Sequence, residues 1–461
     1  MMMKRWSKVL SAILAAAMLL TICAGAGADN EATLSGGKTG GFAEPDTPVS
    51  QNKAIKIAKE LTAYNVDETT IKAPTISYTY TIAAGSADIS ITDAAGDHQS
   101  GEAVNRQTIA GETTGLKVNG TAGTSGVIAW TTEDNLTADK AGAANYKYLT
   151  IDFSGVVFGA PGIYRYEITE ALTDGYSYSS SGVTQTTDAT HGHTRYLDVY
   201  VKPADGYTDG TTAADWDIYG YVCTCEEEEI TAAGDTATTG ACKTNGFVAA
   251  TNDSTEIKAD SYYTFNVTVS KTLTGDNYSG SHPFPVHVDF TNAEVTKNVL
   301  LMAETSGTVT DYAHTAAAAS SLDGLAKIAH GGSIKYIGIP CGTTVDVYET
   351  NDVAGTTYTA TLTVDGTAGT TKSISSTATP TAFAAYAEQV YNSNKGTVTT
   401  TADTVDNTDG HHTIAIANVL QLISPTGVVL RYAPYLLMLA AGAVLFVIFA
   451  VRRRKHTEDD D

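Results

Sequence analysis

Between residues 50 and 420, many segments alternate hydrophobic and polar positions with a period of two. Alternation with Thr, Val and Tyr is typical of strands that bury one side. The clearest segments are Tyr78–Ile82, Tyr164–Ile168, Tyr196–Val201, Phe265–Val269 and Tyr358–Val364. Clusters of Gly, Asn and Asp separate them, as turns require. The pattern predicts an all-β protein built from β-sandwiches. Away from the two ends, only Ala54–Tyr64 and Thr315–His330 hint at helix.

A weak internal repeat predicts the number of domains. Ile57–Thr62 resembles Val269–Thr274, and Ile168–Glu170 recurs as Val347–Glu349 a few residues after a turn with Pro and Gly. We therefore predict two tandem domains, with approximate bounds 50–255 and 262–420.

Charged and polar residues continue the apolar faces of several predicted strands. Residues i, i+2 and i+4 of a strand share one face. By this spacing Lys59 and Lys271 follow apolar residues, and so do Glu170, Glu349 and Asn418. Each predicted core therefore receives a Lys and a Glu, and the second also receives an Asn. An unpaired charge there would cost several kcal/mol, so we expect a partner or a reaction.

Two interpretations of these residues are open. A buried Lys–Glu ion pair is common and inert, and alternation alone favours it. Alternatively, burial shifts the Lys towards its neutral amine and the Glu towards its neutral acid. Such an amine is a nucleophile, and a protonated Glu can polarise an Asn side-chain carbonyl. Attack with loss of ammonia would then leave a Lys–Asn amide.

The N-terminal end predicts secretion. Basic residues precede the apolar stretch Val9–Ile22, and small residues follow up to Ala28. This order is typical of a signal peptide, which we place at 1–28. Residues 29–49 combine turn-forming composition with no periodicity and are expected to form a flexible leader.

The C-terminal end predicts a membrane anchor. An apolar stretch precedes a basic cluster, which indicates a transmembrane helix over 428–451 and a cytoplasmic tail over 452–461. Pro425, Thr426 and Gly427 lie just before it, within residues 424–427. This arrangement resembles a sortase sorting signal, in which a sortase thiolate would attack the Thr426 carbonyl and release Gly427. The alternative is an ordinary anchor with a chance Pro-Thr-Gly.

Composition narrows the function. The chain has 461 residues and a formal net charge of −23, which argues against nucleic-acid binding because phosphates need Lys and Arg. Cys223, Cys225 and Cys242 have no fourth ligand at zinc-finger spacing, so we predict no metal and no cofactor. Two states of these cysteines are compatible with the sequence: a disulfide between Cys242 and either Cys223 or Cys225, or free thiols. No nucleotide-binding or hydrolase motif occurs.

Taken together, these residues resemble the two-domain major pilins of Gram-positive bacteria, whose Ig-like domains carry self-formed Lys–Asn isopeptide bonds. The resemblance covers most of the chain from about Ala54 to Gly427. The segments that carry it are Ile57–Leu61, Ile151–Ser154, Pro161–Glu170, Val267–Gly275, Ile339–Gly342, Val347–Glu349 and Ile414–Asn418.

The resemblance implies Ig-like sandwiches and one reactive triad in each domain. Lys271 would bond Asn418, with Glu349 as the catalytic proton shuttle. In the first domain Glu170 would be the catalyst. Lys59 would bond Asn252, which follows a short alternating stretch, or alternatively Asn245.

The function implied is that of a structural subunit of a covalent surface fibre anchored in the cell wall. Sortase and further copies of the chain would be its partners, and accessory pilins and host surface ligands are further candidates. Lys243 resembles the residue that links one subunit to the next, and Lys202 is the alternative. A single-copy wall-anchored adhesin is the second interpretation. An enzyme is not expected, because its acid and nucleophile would be consumed in one turnover.

Overall fold

A computed structural model gives the fold of the chain. It describes residues 31–33, 53–87, 90–92, 105–171, 179–186, 192–225, 227, 244–251, 256–275, 282–310, 312, 317–318, 321–323, 326–349, 357–369, 371–375, 411–420, 435 and 437–451. Nearly all of the regular structure up to residue 420 is strand. The prediction of an all-β architecture is confirmed.

In the first half of the chain, the described residues form eighteen strands and one short 3₁₀ turn at Ala213–Asp215. The strands are β1 Glu31–Thr33, β2 Ala54–Tyr64, β3 Thr70–Lys72, β4 Ile76–Ala84, β5 Ser90–Thr92, β6 Asn105–Ala110, β7 Lys117–Val118, β8 Thr121–Ala122, β9 Ser125–Trp130, β10 Asn135–Thr137, β11 Ala143–Asp152, β12 Gly162–Glu170, β13 Val183–Thr184, β14 Thr194–Pro203, β15 Trp216–Thr224, β16 Gly246–Phe247, β17 Ala250–Thr251 and β18 Glu256–Ile257.

The first domain is a sandwich of two sheets. In one sheet β2 pairs with β11, which continues to β7 and β8, and in the other the order is β15-β14-β12-β4-β9. Side chains from both sheets share one core, which includes Ile57, Leu61, Leu149, Ile151, Tyr80, Tyr166, Ile168 and Leu197. The alternating sequence positions thus face each other across the sandwich, which is where burial of apolar area stabilises the fold.

The second half contributes fourteen more strands among the described residues. They are β19 Asp260–Thr274, β20 Phe284–Thr291, β21 Asn298–Val299, β22 Met302–Ser306, β23 Val309–Thr310, β24 Ala317–Ala318, β25 Ser321–Asp323, β26 Ala326–Ile328, β27 Ser333–Pro340, β28 Thr344–Glu349, β29 Thr357–Val364, β30 Thr367–Ala368, β31 Lys372–Ser375 and β32 His411–Leu420.

The second domain repeats the sandwich. β19 lies between β27 and β32 in one sheet, and β20 pairs with β25, β26 and β28 in the other. The second core contains Val267, Val269, Ile414 and Ile416 from the first of these sheets and Val286, Val288, Val345 and Val347 from the second.

One long strand, β19, belongs to both domains. Its first residues, Asp260–Tyr263, pair in parallel with the end of β2 in the first domain. Its later residues pair in parallel with β32 in the second domain. The predicted first domain ended at residue 255, whereas β19 already pairs with that domain's sheet from residue 260. No loop separates the two sandwiches at this point.

Buried polar contacts hold the junction between the domains. The side-chain amides of Asn65 and Asn266 donate to each other's oxygens at 2.9 and 2.8 Å. Asn65 also donates to the Thr264 hydroxyl at 2.9 Å. The rings of Tyr64 and Tyr263 stack beside them, with centroids 4.4 Å apart. These contacts fix the direction in which β19 leaves the first domain.

The two helices suggested by the sequence are wrong. Ala54–Tyr64 is strand β2, and the described parts of Thr315–His330 contain the short strands β24, β25 and β26. Helix propensity in Ala, Lys, Glu and Leu is a weak preference. In β2 the apolar residues recur every second position and face the sandwich core, so tertiary packing decides the conformation.

Residues 437–451 are helical and their apolar side chains are exposed. Among the residues described, no helix is long and apolar enough to cross a membrane. The predicted signal peptide, the sorting motif at 424–427 and the tail at 452–461 lie outside the described residues. The transmembrane helix over 428–451 therefore stays a prediction.

Candidate cross-link sites in the two cores

Strand pairing brings Lys271 and Asn418 onto one face of a sheet. β19 and β32 run parallel, and Asn418 lies opposite Leu273, two residues after Lys271. Because alternate residues share a face, the Lys and Asn side chains both enter the core. Glu349 ends β28 in the opposing sheet and approaches from the other side. The structure thus brings together the three residues predicted for the second domain.

Glu349 bridges the amine and the amide. Its Oε1 accepts from Asn418 Nδ2 at 2.6 Å, and its Oε2 accepts from Lys271 Nζ. The Tyr358 hydroxyl also donates to Oε1, at 2.8 Å. All three members of the triad are at most 1% exposed. A carboxyl group in this position can carry a proton from the amine to the amide.

The surroundings of Lys271 make its neutral form more accessible than it is for a lysine in water. Burial lowers the pKa of Lys271 to about 8, although Glu349 acts in the opposite direction. The Phe284 ring lies beneath the amine, with its centroid 4.9 Å from Nζ. At pH 7 about one-tenth of such amines would be neutral, and a neutral amine is the nucleophile that amide formation needs.

The first domain holds a comparable pair. Lys59 Nζ on β2 donates to Glu170 Oε1 at the end of β12, over 3.0 Å. The Tyr80 hydroxyl donates to Glu170 Oε2 at 2.6 Å, just as the Tyr358 hydroxyl donates to Glu349 in the second domain. His193 Nδ1 lies 3.2 Å from Oε1. Lys59 and Glu170 are each 2% exposed, so this pair is also in the core.

The third group in this site is Asp260, which the sequence analysis did not predict. Its Oδ2 lies 3.0 Å from Lys59 Nζ, and its Oδ1 accepts from the Thr186 main-chain N–H at 2.9 Å. The side chain is fully buried. It was missed because the predicted first domain ended before β19 began. The sequence feature that could have identified Asp260 is its spacing of two residues from Tyr262, which also packs in the first core.

Asn252, the partner predicted for Lys59, lies outside the described residues. The alternative, Asn245, approaches β2 through its backbone, because its main-chain oxygen accepts from the Ala58 N–H at 2.9 Å.

Charge is distributed differently in the two sites. Burial lowers the pKa of Lys59, but Asp260 and Glu170 together outweigh burial and leave that pKa raised. Burial raises the pKa of Glu170, but Lys59, His193 and Tyr80 bring it below its usual value. The charged form of the lysine is therefore stabilised in the first site, whereas in the second site Lys271 loses its proton more readily than an ordinary lysine.

The other predicted site residues are spread more widely. Lys202 is exposed near the end of β14. Lys243, Pro425, Thr426, Gly427 and Cys242 lie outside the described residues. Cys223 is buried on β15, and Cys225 is buried directly after that strand ends. Within the part of the chain that the structure describes, no group of His, Cys, Asp and Glu is placed to hold a metal ion.

Solved structures of bacterial surface proteins are similar to this chain. A major pilin (T3.2) from Streptococcus pyogenes is 16% identical, with 80% of this chain and 99% of that one covered and a TM-score of 0.34. Another major pilin from Streptococcus pyogenes is 18% identical, with 79% and 98% covered and a TM-score of 0.33. An adhesin from Mobiluncus mulieris with intramolecular disulfide, isopeptide and ester cross-links is 10% identical, with 80% and 100% covered and a TM-score of 0.19.

No family model and no curated relative matches the sequence.

Proposed function

We propose that this chain is a structural subunit of a covalent fibre on the surface of a Gram-positive bacterium, and that an internal Lys271–Asn418 isopeptide bond stabilises it. The observation that carries the proposal is the buried contact of Lys271 and Asn418 with the same Glu349 carboxyl group. The neutral amine attacks the side-chain carbonyl carbon of Asn418. Glu349 passes a proton to the departing nitrogen, and ammonia leaves.

The position of this bond suits a protein that bears tension. Lys271 lies on the strand that enters the second domain, and Asn418 lies on the strand that leaves the described part of it. Force applied along the chain would pass from β19 through the amide to β32. With the bond, the segment 272–417 would carry no load. Without the bond, the hydrogen bonds between the parallel strands β19 and β32 would carry the force.

Assembly of the fibre rests on the sequence at the C-terminal end. A sortase would cleave between Thr426 and Gly427, and an exposed Lys of a second copy would take the Thr426 acyl group. We propose Lys243 as that residue, and a cell-wall location for the finished fibre. The chain would perform no catalytic turnover, since each triad reacts once.

Immunoblots of cell-wall extracts test the proposal. A ladder of high-mass species that resists boiling in detergent is expected, and Thr426→Ala should remove the ladder and leave the protein in the membrane fraction. A single wall-associated band in the native strain would instead indicate a single-copy adhesin. A Thr426→Ala protein that still reached the wall would contradict the sorting signal.

A further inference from the structure

Asp260 occupies in the first domain the position that Asn418 occupies in the second. Asp260 lies opposite Leu61, two residues after Lys59, on a parallel neighbouring strand. Asn418 lies opposite Leu273, two residues after Lys271, also on a parallel neighbouring strand. In both domains a buried Lys therefore shares a sheet face with a side chain carrying a carbonyl group, displaced by the same two residues.

The remaining parts of the two sites also correspond. Each Lys contacts a Glu at the last residue of a strand, and each Glu accepts a hydrogen bond from a buried Tyr hydroxyl, Tyr80 or Tyr358. In the first domain the Lys59 amine lies 3.0 Å from the carboxyl groups of both Glu170 and Asp260. The chief chemical difference is that an acid replaces an amide.

We infer that Lys59 and Asp260 form an isopeptide bond, with Glu170 as the proton shuttle and water as the leaving group. Glu170 takes a proton from the Lys59 ammonium group, and the resulting amine attacks the carboxyl carbon Cγ of Asp260. Glu170 then gives this proton to one carboxyl oxygen of Asp260. That oxygen takes a second proton from the attacking Lys59 nitrogen and leaves as water. One ammonium and one carboxylate become one amide, so atoms and charge balance.

Removal of buried charge gives this reaction a driving force. The unreacted site holds one cation and two carboxylates with almost no exposure to solvent. Buried ions of this kind carry a large desolvation penalty. After reaction Glu170 is the one charged member left, and the Tyr80 hydroxyl and His193 remain beside it.

The inferred bond would also complete a short load-bearing path. Both cross-links would then lie on β19, one near each end. Force entering at β2 would cross to β19 at Asp260, run along that strand to Lys271 and cross to β32. With Asn252 as the partner of Lys59, the path would instead include residues 253–259 as an additional loaded segment.

Peptide mass spectrometry of the secreted chain tests the inference. Digestion should yield a branched peptide whose mass is about 18 Da below the sum of its Lys59 and Asp260 arms. Cleavage with chymotrypsin at Tyr263 or Phe265 is needed as well as trypsin, because it separates this bond from the one at Lys271. Unbranched peptides with an unmodified Lys59, or a branch from Lys59 to Asn252, would overturn the inference.

Three variants sharpen the test. Asp260→Asn should yield a branched peptide of the same mass as the native one, because loss of ammonia from Asn and loss of water from Asp give the same amide. Lys59→Arg keeps the positive charge but should give no branch. Asn252→Ala is the matched control and should leave the branch intact, so a branch lost in that variant would refute Asp260 as the partner.

The same digest separates this inference from the proposed function. The Lys271–Asn418 branch is read from its own peptides, about 17 Da below the sum of its arms. A second-domain branch with linear first-domain peptides would overturn only the Lys59–Asp260 bond. A first-domain branch without the Lys271–Asn418 one would support the inference here and contradict the stabilising bond of the proposed function.

Discussion

Asp260 and Lys271 lie on the same strand, β19, but point into different cores. They are eleven residues apart, an odd spacing, and alternate residues of a strand face opposite sides. Tyr262 accordingly packs in the first core and Phe265 in the second. A single strand thus supplies one reactive side chain to each domain. The proposed cross-links of the two domains are coupled through that strand.

Glu349→Ala is expected to prevent the bond between Lys271 and Asn418. The variant peptides should be linear, because the carboxyl group that moves the proton between Lys271 and Asn418 is removed. Chain-entropy models give about 5 kcal/mol for closing loops of this length, and the unpaired Lys271 adds a further cost. Calorimetry should show a lower melting temperature, and trypsin should cut the second domain sooner.

Glu304→Ala is the matched control for that variant, since Glu304 is exposed on β22 of the same domain. It should keep the branched peptide and the native melting temperature. If Glu349→Ala formed the branch as completely as the control, Glu349 would have no role in proton transfer.

Asn418→Ala should make stability depend on pH through the unreacted Lys271. Burial lowers the pKa of this amine to about 8, below its value of about 10.4 in an unfolded chain. The unfolded state therefore binds more protons between those values, and the free energy of unfolding should rise by about 3 kcal/mol from pH 8 to pH 10.5.

Urea denaturation at several pH values measures this dependence. The double variant Lys271→Met with Asn418→Ala controls for other groups that titrate in the same range, notably tyrosines. The difference between the two variants should grow steadily across the window. Parallel curves would mean that burial does not lower the Lys271 pKa.

Asn65→Ala should loosen the junction between the domains. The change removes the donors to Thr264 and Asn266 and leaves the buried Asn266 amide without this partner. The loss should lower stability by about 2 kcal/mol. Small-angle scattering should also report a broader range of interdomain distances.

Asn65→Asp is the informative comparison at this junction. It keeps the oxygen that accepts from the backbone of Asp67 and Glu68 but lacks the amide donor. An intermediate melting temperature is expected. Asn65→Ala with native stability and native scattering would mean that the paired amides do not fix the domains.

Lys243→Ala should reduce the detergent-resistant ladder to monomer if Lys243 joins the subunits. Lys202→Ala is the natural comparison, because Lys202 is an exposed lysine near the end of β14 and the sequence offers it as the alternative linking residue. Immunoblots of both strains, with equal expression verified, distinguish them. A ladder that survives Lys243→Ala but not Lys202→Ala would move the linkage to Lys202.

Alternation along the chain is enough to predict the all-β fold and the burial of Lys271, Glu349 and Asn418. Thr, Val and Tyr at alternate positions predicted strands because only a pleated strand puts every second side chain on one face. The same spacing placed Lys271, Glu349 and Asn418 in the core, where the structure has them. Prediction from the sequence was less successful for β2. Its residues have helix propensity but alternate as in a strand, and packing against the core decides for the strand.

Tertiary structure alone decided which distant side chains meet. Lys59 and Asp260 are separated by about two hundred residues, and parallel pairing of β2 with β19 brings them within 3.0 Å. Alternation predicts the face of the strand on which a side chain lies. It predicts neither which strand lies beside it nor the register in which the two strands pair. The sharing of β19 between two domains was equally hidden. Alternation shows which residues of β19 share a face, but not that its two faces pack in different cores.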